Sequence, residues 1–403
     1  MKKYRWDRNL KIRLAGETLF NLLYWMYFPF IAVYFSQTVG FSWAGFMMMV
    51  PPFISLIGNV IGGTVADAFG RRPIMLLGAT IQSCMFALFA LSPSSIVDYI
   101  AFLGIGVGGA LYGPASDAMV ADLVEEDNRK EVFATFITFK NIGAVVGPIF
   151  GAVLFFDYRT ILLWSCAAVM LIYTVAIFIA IKETLPQKKE RKVPFARQLA
   201  DTGQIVKDRA FMYYIVAGIF SVVAIMQLDL YLAVYVTENV PLQPIMQVDG
   251  WTVQLDGAEV LGWMLGINGL LFVLFILPMT KWLKKWTEQQ VFILSCLLAG
   301  FGMFAVGFTT NFWLLCVLTI IFTFGEIVRA PVLYHFVSRH APEQARAQYM
   351  GMANMQFTVG RMLAPITVFL ATWLPPIAVF GVILCSALIS MGLYIKLFKA
   401  EPA

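Results

Sequence analysis

Apolar runs of similar length recur from one end of the chain to the other, separated by short polar connections. Twelve are present, at roughly 12–37, 43–66, 73–92, 96–120, 131–156, 160–181, 211–237, 258–280, 289–308, 311–337, 346–372 and 376–397. A run of about 18 apolar residues or more is long enough to cross the hydrocarbon core as a helix. In lipid every backbone N–H and C=O must be satisfied within the segment, and a helix does this. The pattern therefore predicts an all-α polytopic membrane protein with twelve transmembrane helices.

Composition agrees: 60% of the 403 residues are hydrophobic and 13% are charged, about half the charged share of a soluble domain. Cys84, Cys166, Cys296, Cys316 and Cys385 all fall inside the apolar runs with no paired spacing, so neither a metal motif nor a disulfide framework is expected. The basic start MKKYRWDRNLKIR leads straight into the first run and predicts no cleaved leader. Lysine and arginine cluster in the even-numbered loops: Arg71 with Arg72, Arg129 with Lys130, KKERK at 188–192, Lys281 with Lys284 and Lys285, and Arg339. The odd-numbered loops hold Arg159 against Asp98, Asp157, Glu238, Asp249, Asp256 and Glu259. The inside-positive bias then puts both termini in the cytoplasm of a multi-pass protein of the cell membrane. The net charge of +5 reflects that bias. Nucleic acid is excluded as a partner, because the basic residues form no single stripe.

The longest connection, 182–209, divides the runs six and six, giving an N-terminal bundle at 1–181, a cytoplasmic linker at 182–209 and a C-terminal bundle at 210–403. The two halves retain traces of a repeat. AVYFSQTV at 32–39 resembles AVYVTENV at 233–240, an offset of 201. An offset of 217 pairs Pro114 with Pro331, Arg129 with Arg346, Gly143 with Gly360 and Pro148 with Pro365. The offset grows because VPLQPIMQVDGWTVQLDGAE, after the seventh run, is longer than its counterpart after the first. Two pseudo-symmetric six-helix bundles resemble the architecture of the major facilitator superfamily, in which the substrate site lies near the midplane between halves.

GGTVADAFGRRP, at 62–73, falls on the turn between the second and third runs. It resembles that superfamily's signature for this turn through Gly63, Asp67, Gly70, Arg71 and Arg72, and departs from it at Ala68, where a basic residue is usual. Gly63 is expected to allow close helix approach and Gly70 a tight turn. Asp67 is placed where a carboxylate meets the positive end of a neighbouring helix. The resemblance implies a conformational switch in which the arginines latch to Asp122 in one state and let go in the other. The alternative is that Arg71 and Arg72 serve orientation alone. GAVVGPIFGA, at 143–152, carries Gly143, Gly147, Pro148 and Gly151. Small residues four apart favour close helix packing and proline bends a span; the same pattern resembles the antiporter helix motif of drug–proton antiporters.

An ionised side chain at midplane costs at least about 2–3 kcal/mol, so intramembrane charges are functional candidates. Seven stand out: Glu17, Asp117, Asp229 and Glu326, with Lys140, Arg329 and Arg361. Three bases against four acids leave one carboxylate without a full partner. A carboxyl in apolar surroundings gains affinity for protons, the chemistry of a proton-coupled carrier. Glu326 and Arg329 stand one helical turn apart and either pair or do not. Asp229 has no base near it in sequence and Phe28 as its repeat counterpart. Glu17 lies a turn after Arg13, and Asp117 and Lys140 on adjacent runs are placed to neutralise each other. Arg361 is expected to hold a carboxylate from another span. Of the two histidines, His335 is expected at an interface and His340 in solvent. Asn21, Tyr24, Trp25, Tyr27, Phe28 and Asn141 are candidate lining of a substrate cavity, since aromatic rings re-pack and face cations.

Over most of its length the chain resembles the twelve-span drug–proton antiporter branch of that superfamily, through NIGAVVG, FTFGEIVRAP and the turn at EEDNRKEVF. That resemblance implies export of small lipophilic, often cationic, drug-like compounds by alternating access, and a part in antibiotic resistance. Asp229 and Glu326 would be the acids of proton coupling and cargo. Two positions depart from the branch: Phe136 stands where an acid is expected, and Ile100 where an arginine is usual. The expected partners are lipophilic substrates, protons and membrane lipids, with no cofactor beyond the proton gradient, no metal and a monomeric state. The competing reading is a carrier or flippase for an anionic metabolite or lipid, held by Lys140, Arg329 and Arg361. No loop is long enough for a catalytic or receptor domain, which excludes an enzyme.

Overall fold

The computed structural model describes residues 6–184, 207–248, 251–342 and 346–400. Most of the connection 182–209, including KKERK, lies outside them, as do Asp249 and the chain ends. Helices dominate. In the first half they are α1 (Arg8–Tyr27), α2 (Ile31–Val39), α3 (Phe41–Phe69), α4 (Arg71–Leu91), α5 (Ser95–Leu123), α6 (Glu126–Asp157) and α7 (Arg159–Ala180). In the second they are α8 (Arg209–Ile225), α9 (Tyr231–Asn239), α10 (Gly257–Trp282), α11 (Glu288–Val306), α12 (Phe312–His340), α13 (Arg346–Ala353), α14 (Met355–Leu363), α15 (Ile366–Leu370) and α16 (Pro376–Ala400). Eleven helical segments among the described residues are long and apolar enough to span a membrane. The expected span at 346–372 is instead broken into α13, α14 and α15. Phe69, Ile179 and Leu277 are 73%, 73% and 71% exposed, an arrangement suited to lipid and costly in water.

Compactness divides the chain into two units: Met1–Ile31 with Val50–Glu190, and Ala32–Met49 with Arg191–Ala403. The segment Ala32–Met49 thus differs from the expected 1–181 grouping. Its Ser42 hydroxyl meets that of Thr372 at 2.8 Å, and a Cβ on Gly45 would overlap Phe369. Pro51 and Pro52 sit inside α3 where the grouping changes. In the first unit α4 packs on α5 and α7, and α1 on α6. In the second, α11 packs on α12 and α16, α8 on α16 and α14, and α10 on α12.

The repeat has a structural counterpart. A 3-10 turn, Phe28–Phe30, separates α1 from α2, and another, Met226–Asp229, separates α8 from α9. Phe28 and Asp229 are related by the offset of 201. Pro29 explains the first break; the second occurs without proline. Gly143 on α6 lies against the backbone of α1, and Gly360 on α14 against Val222 of α8, each too close for a Cβ.

One feature departs from an all-α fold. Strands β1 (Gln243–Val248) and β2 (Trp251–Leu255) pair antiparallel, Val248 opposite Trp251 and Gln243 opposite Leu255, with an irregularity between Pro244 and Met246. The Asp249–Gly250 pair between them is a common hairpin signal.

Asp208, just before α8, caps that helix by accepting from the Phe211 N–H at 3.0 Å. His340 Nε2 lies 2.9 Å from its other oxygen, and the Tyr349 hydroxyl donates to it at 3.0 Å. His340 also stacks near Phe211 and Phe336, so it is packed and paired rather than solvated. His335 contacts Glu288, the first residue of α11, at 2.6 Å. Burial alone would raise the Asp208 carboxyl, but the Phe211 N–H, His340 and Tyr349 outweigh it and hold the group below its ordinary 3.8. A depressed acid stabilises the fold above its unfolded value and loses that contribution as pH falls through its folded value. Asp208→Asn should therefore lower thermal stability in detergent at pH 7, with the deficit shrinking as the pH falls below about 4.

Candidate transport site

The second unit brings together two carboxylates. Asp229 closes the 3-10 turn between α8 and α9, and Leu230 after it leaves helical geometry with φ −126° and ψ −110°. Its Oδ1 is buried and has no hydrogen-bond partner. Neighbouring Gln227 ties the break to the broken span opposite: its Oε1 accepts from Thr367 at 2.7 Å, and its Nε2 donates to Val223 O at 2.6 Å. Glu326, on α12, accepts at Oε2 from Asn268 Nδ2 on α10 at 3.4 Å. The same amide group donates to Thr323 Oγ1 at 3.0 Å. Asp229 and Glu326 are near enough for their charges to interact, and Arg361 on α14 acts electrostatically on Asp229. Among the described residues, neither acid is in an ion pair.

Arg329, one turn past Glu326, points elsewhere. It is 2% exposed and donates through Nη2 to Gln356 Oε1 at 2.8 Å and to the Tyr394 hydroxyl at 3.3 Å. The possible Glu326–Arg329 pair is not formed.

In the first unit the charges form a closed knot. Glu17 Oε1 accepts from Arg13 Nε and Nη2 at 3.1 and 2.7 Å, from the Tyr112 hydroxyl at 3.0 Å and from Ser116 at 2.6 Å. Lys140 Nζ reaches Glu17 Oε2 at 2.9 Å, and the Tyr112 and Tyr173 hydroxyls are 2.5 Å apart. Lys140 thus pairs with Glu17, correcting the expected Asp117–Lys140 pair. Asp117 is exposed and forms no ion pair among the described residues, because it lies on another face of α5. Of the three bases of the anion-carrier reading, Lys140 is in the knot of the first unit, while in the second Arg329 is enclosed and Arg361 is exposed.

Among the aromatic candidates, Tyr24 and Phe28 stack at 4.6 Å and are partly exposed with Trp25. Tyr27 is 1% exposed and packs edge-on against Phe86 at 5.4 Å, so it is core rather than cavity lining. Asn141 is exposed, and Asn21 carries a buried amide oxygen without a partner. Gly143, Gly147 and Gly151 lie against successive turns of α1 at Leu22, Trp25 and Met26, and α6 continues through Pro148.

At the Gly70 turn (φ 110°) Arg71 bonds both acids, Asp67 on its own turn and, through Nε at 3.3 Å, Asp122 at the end of α5. Asp67 does not cap a helix as expected. That task falls to Glu183, whose two oxygens accept from the backbone N–H groups of Arg71 and Arg72 at 3.0 and 3.1 Å. Arg72 bonds Phe178 O at 2.5 Å instead of joining Asp122. Gly63 has only ordinary contact with Pro114; the close approaches to α5 are made by Gly58 and Gly62.

Residues 14–248 and 239–403 both match the family described as Major Facilitator Superfamily. The chain belongs to the major facilitator superfamily. Membership makes it a multi-pass membrane transporter rather than an enzyme. A relative from Planococcus maritimus described as a "Na(+), Li(+), K(+)/H(+) antiporter" is 38% identical over 388 residues, 93% of this chain and 92% of its own. "Multidrug resistance protein MdtH" of Photorhabdus laumondii is 24% identical over 360 residues, covering 87% and 83%. A solved structure of a POT family transporter in complex with 5-aminolevulinic acid superposes with a TM-score of 0.77 at 18% identity over 97% of this chain and 96% of its own. At that identity the match speaks for the superfamily fold alone.

Within this superfamily fold, sequence reasoning missed Asn268, Gln356 and Glu183. A lone asparagine inside the 26-residue apolar helix α10 was a usable signal, since polar groups in lipid need partners. Gln356 and Glu183 stood where only the tertiary contacts identify them.

Proposed function

We propose that this chain is a proton-coupled antiporter of the cell membrane that exports monovalent cations, with Asp229 and Glu326 holding cation and proton in turn. The observation that carries the reading is two carboxylates from separate spans, electrostatically coupled and free of ion pairs among the described residues. A carboxylate already bound to an arginine would exchange neither ion readily; these two keep oxygen atoms available. Thr323, one turn before Glu326 and joined to it through the Asn268 N–H donor, adds a neutral hydroxyl oxygen, and hard cations take oxygen ligands. The 38% identical relative, an alkali-cation/proton antiporter by description, supports alkali metal ions as the first cargo class. Protonation from the outer side would accompany cation release, and proton loss to the cytoplasm would reset the carrier by alternating access. Both termini are cytoplasmic in this scheme, from the lysine and arginine bias.

A second cargo class, lipophilic organic cations and hence drug export, is favoured by the half-exposed Tyr24–Phe28 stack and by the multidrug relatives. Both share the same proton chemistry. The test uses purified protein in vesicles holding a pH gradient. Addition of sodium, lithium or potassium chloride should dissipate the gradient. Dissipation by tetraphenylphosphonium alone would select the second class, and dissipation by an anionic solute alone would overturn both.

A further inference from the structure

The repeat relates the two helix breaks, and each half holds its break by different means. At the offset of 201, Met26 corresponds to Gln227, Phe28 to Asp229 and Pro29 to Leu230; at 217, Gly147 corresponds to Ala364 and Phe150 to Thr367. In the first unit a proline ring interrupts the helix. In the second the proline is gone, and two polar side chains stand where the first half has Met26 and Phe150. Gln227 is 0% exposed and Thr367 1%. A polar side chain buried in a span is costly unless it is satisfied, and packing alone would be served by apolar residues at both places.

These two side chains fix the turn that carries Asp229. Gln227 shares the 3-10 turn Met226–Asp229 with the acid, and its backbone O accepts from the Leu230 N–H at 3.1 Å. Asp229 therefore lies inside a loop of chain that Gln227 closes. The Gln227 side chain is itself anchored. Its Nε2 donates to Val223 O on α8 at 2.6 Å and to Ala364 O at 3.4 Å, and its Oε1 accepts from the Thr367 hydroxyl at 2.7 Å. The same hydroxyl lies 2.9 Å from Ala364 O. Ala364 caps the end of α14, three residues after Arg361, the base that acts electrostatically on Asp229. The link thus joins the turn bearing the acid to the helix bearing that base.

We infer that Gln227 and Thr367 are positioning residues of the transport site: the hydrogen bond between them holds the Asp229 turn in the shape that receives the cation, doing for the second half what Pro29 does for the first. Neither side chain touches the carboxylate, so the pair sets where Asp229 stands and leaves its oxygen atoms to the cargo. The inference rests on the proposed role of Asp229 in exchange.

The test measures the KM for sodium and the maximal rate of sodium-driven proton flux in vesicles, at one pH, with thermal unfolding in detergent alongside. Thr367→Val keeps the volume and removes the hydroxyl; Gln227→Met restores the residue of the first half and removes the amide. Each should raise the KM by about five-fold, the worth of one net hydrogen bond, and by more than it changes the maximal rate. The double variant should go no further than either single one, because both remove the same link. Thr367→Ser, which keeps the hydroxyl, should restore the wild-type KM. A merely structural pair would lower the unfolding temperature and leave the KM unchanged, and that result overturns the inference. Should Gln227→Met fail to fold, Thr367→Val decides alone, since it leaves Gln227 bonded to Val223. If Asp229→Asn and Glu326→Gln still exchange normally, the underlying reading falls instead, whatever the KM of the Thr367 variants.

Discussion

Asp229→Asn and Glu326→Gln should each reduce cation-driven proton movement to the level of protein-free vesicles while leaving a stably folded protein. Both halves of that result follow from the geometry. Neither acid has an ion-pair partner among the described residues, so its neutralisation leaves no buried base unmatched. Arg361, which acts on Asp229 from a distance, is exposed. Asn and Gln also keep the size of the original side chains, and Gln at 326 keeps an oxygen that accepts from Asn268. The stability change should stay within about 1 kcal/mol, measured by thermal unfolding in detergent. Function, by contrast, loses the group that takes up and gives back the proton. Variants of both residues that exchanged at the wild-type rate would sink the proposed role. Variants that unfolded would show the acids to be structural, contrary to their lack of ion pairs among the described residues.

How much of this was legible in the sequence differs from feature to feature. Eleven of the twelve spans were, because apolar length alone decides what crosses a bilayer; the division of 346–372 into α13, α14 and α15 was not. The paired breaks were half legible: Pro29 marks the first, and the offset of 201 carries the position over to Asp229 without any local signal there. The turn at Gly70 was legible because only glycine adopts φ 110° with ease. Partner choice was not. Lys140 stands equally well placed, along the sequence, for Asp117 or for Glu17, and which it meets depends on the rotation of α5 and α6 about their axes. A helix with apolar residues on every side gives no sequence signal for that rotation. Gly58 and Gly62, rather than Gly63, make the close approach to α5 for the same reason: the motif marks the turn, while the contact face is set by packing one and five residues away. The β-hairpin was missed although its Asp249–Gly250 signal was present, because the segment was weighed only for its length.

Glu17→Gln is the variant expected to damage the fold most. Glu17 is 6% exposed, and its Arg13 partner is fully buried. A single carboxylate therefore answers two bases, Arg13 and Lys140, and accepts two hydroxyls besides. Removing its charge leaves both cations without an ion pair among the described residues, and breaking a buried pair in this way costs about 3–5 kcal/mol. The comparison that gives the number meaning is Asp117→Asn, one turn from the knot on α5. Asp117 is exposed and forms no ion pair among the described residues, so its neutralisation should change stability by no more than about 0.5 kcal/mol. Unfolding of the two variants side by side in one detergent separates a structural acid from a spectator. Equal losses would mean that Asp117, through the field it shares with Lys140 and Arg13, carries as much of the knot as Glu17 does. A loss confined to Glu17→Gln would assign the α1–α5–α6 junction to a single carboxylate, the one whose repeat counterpart in the second unit is Gly218.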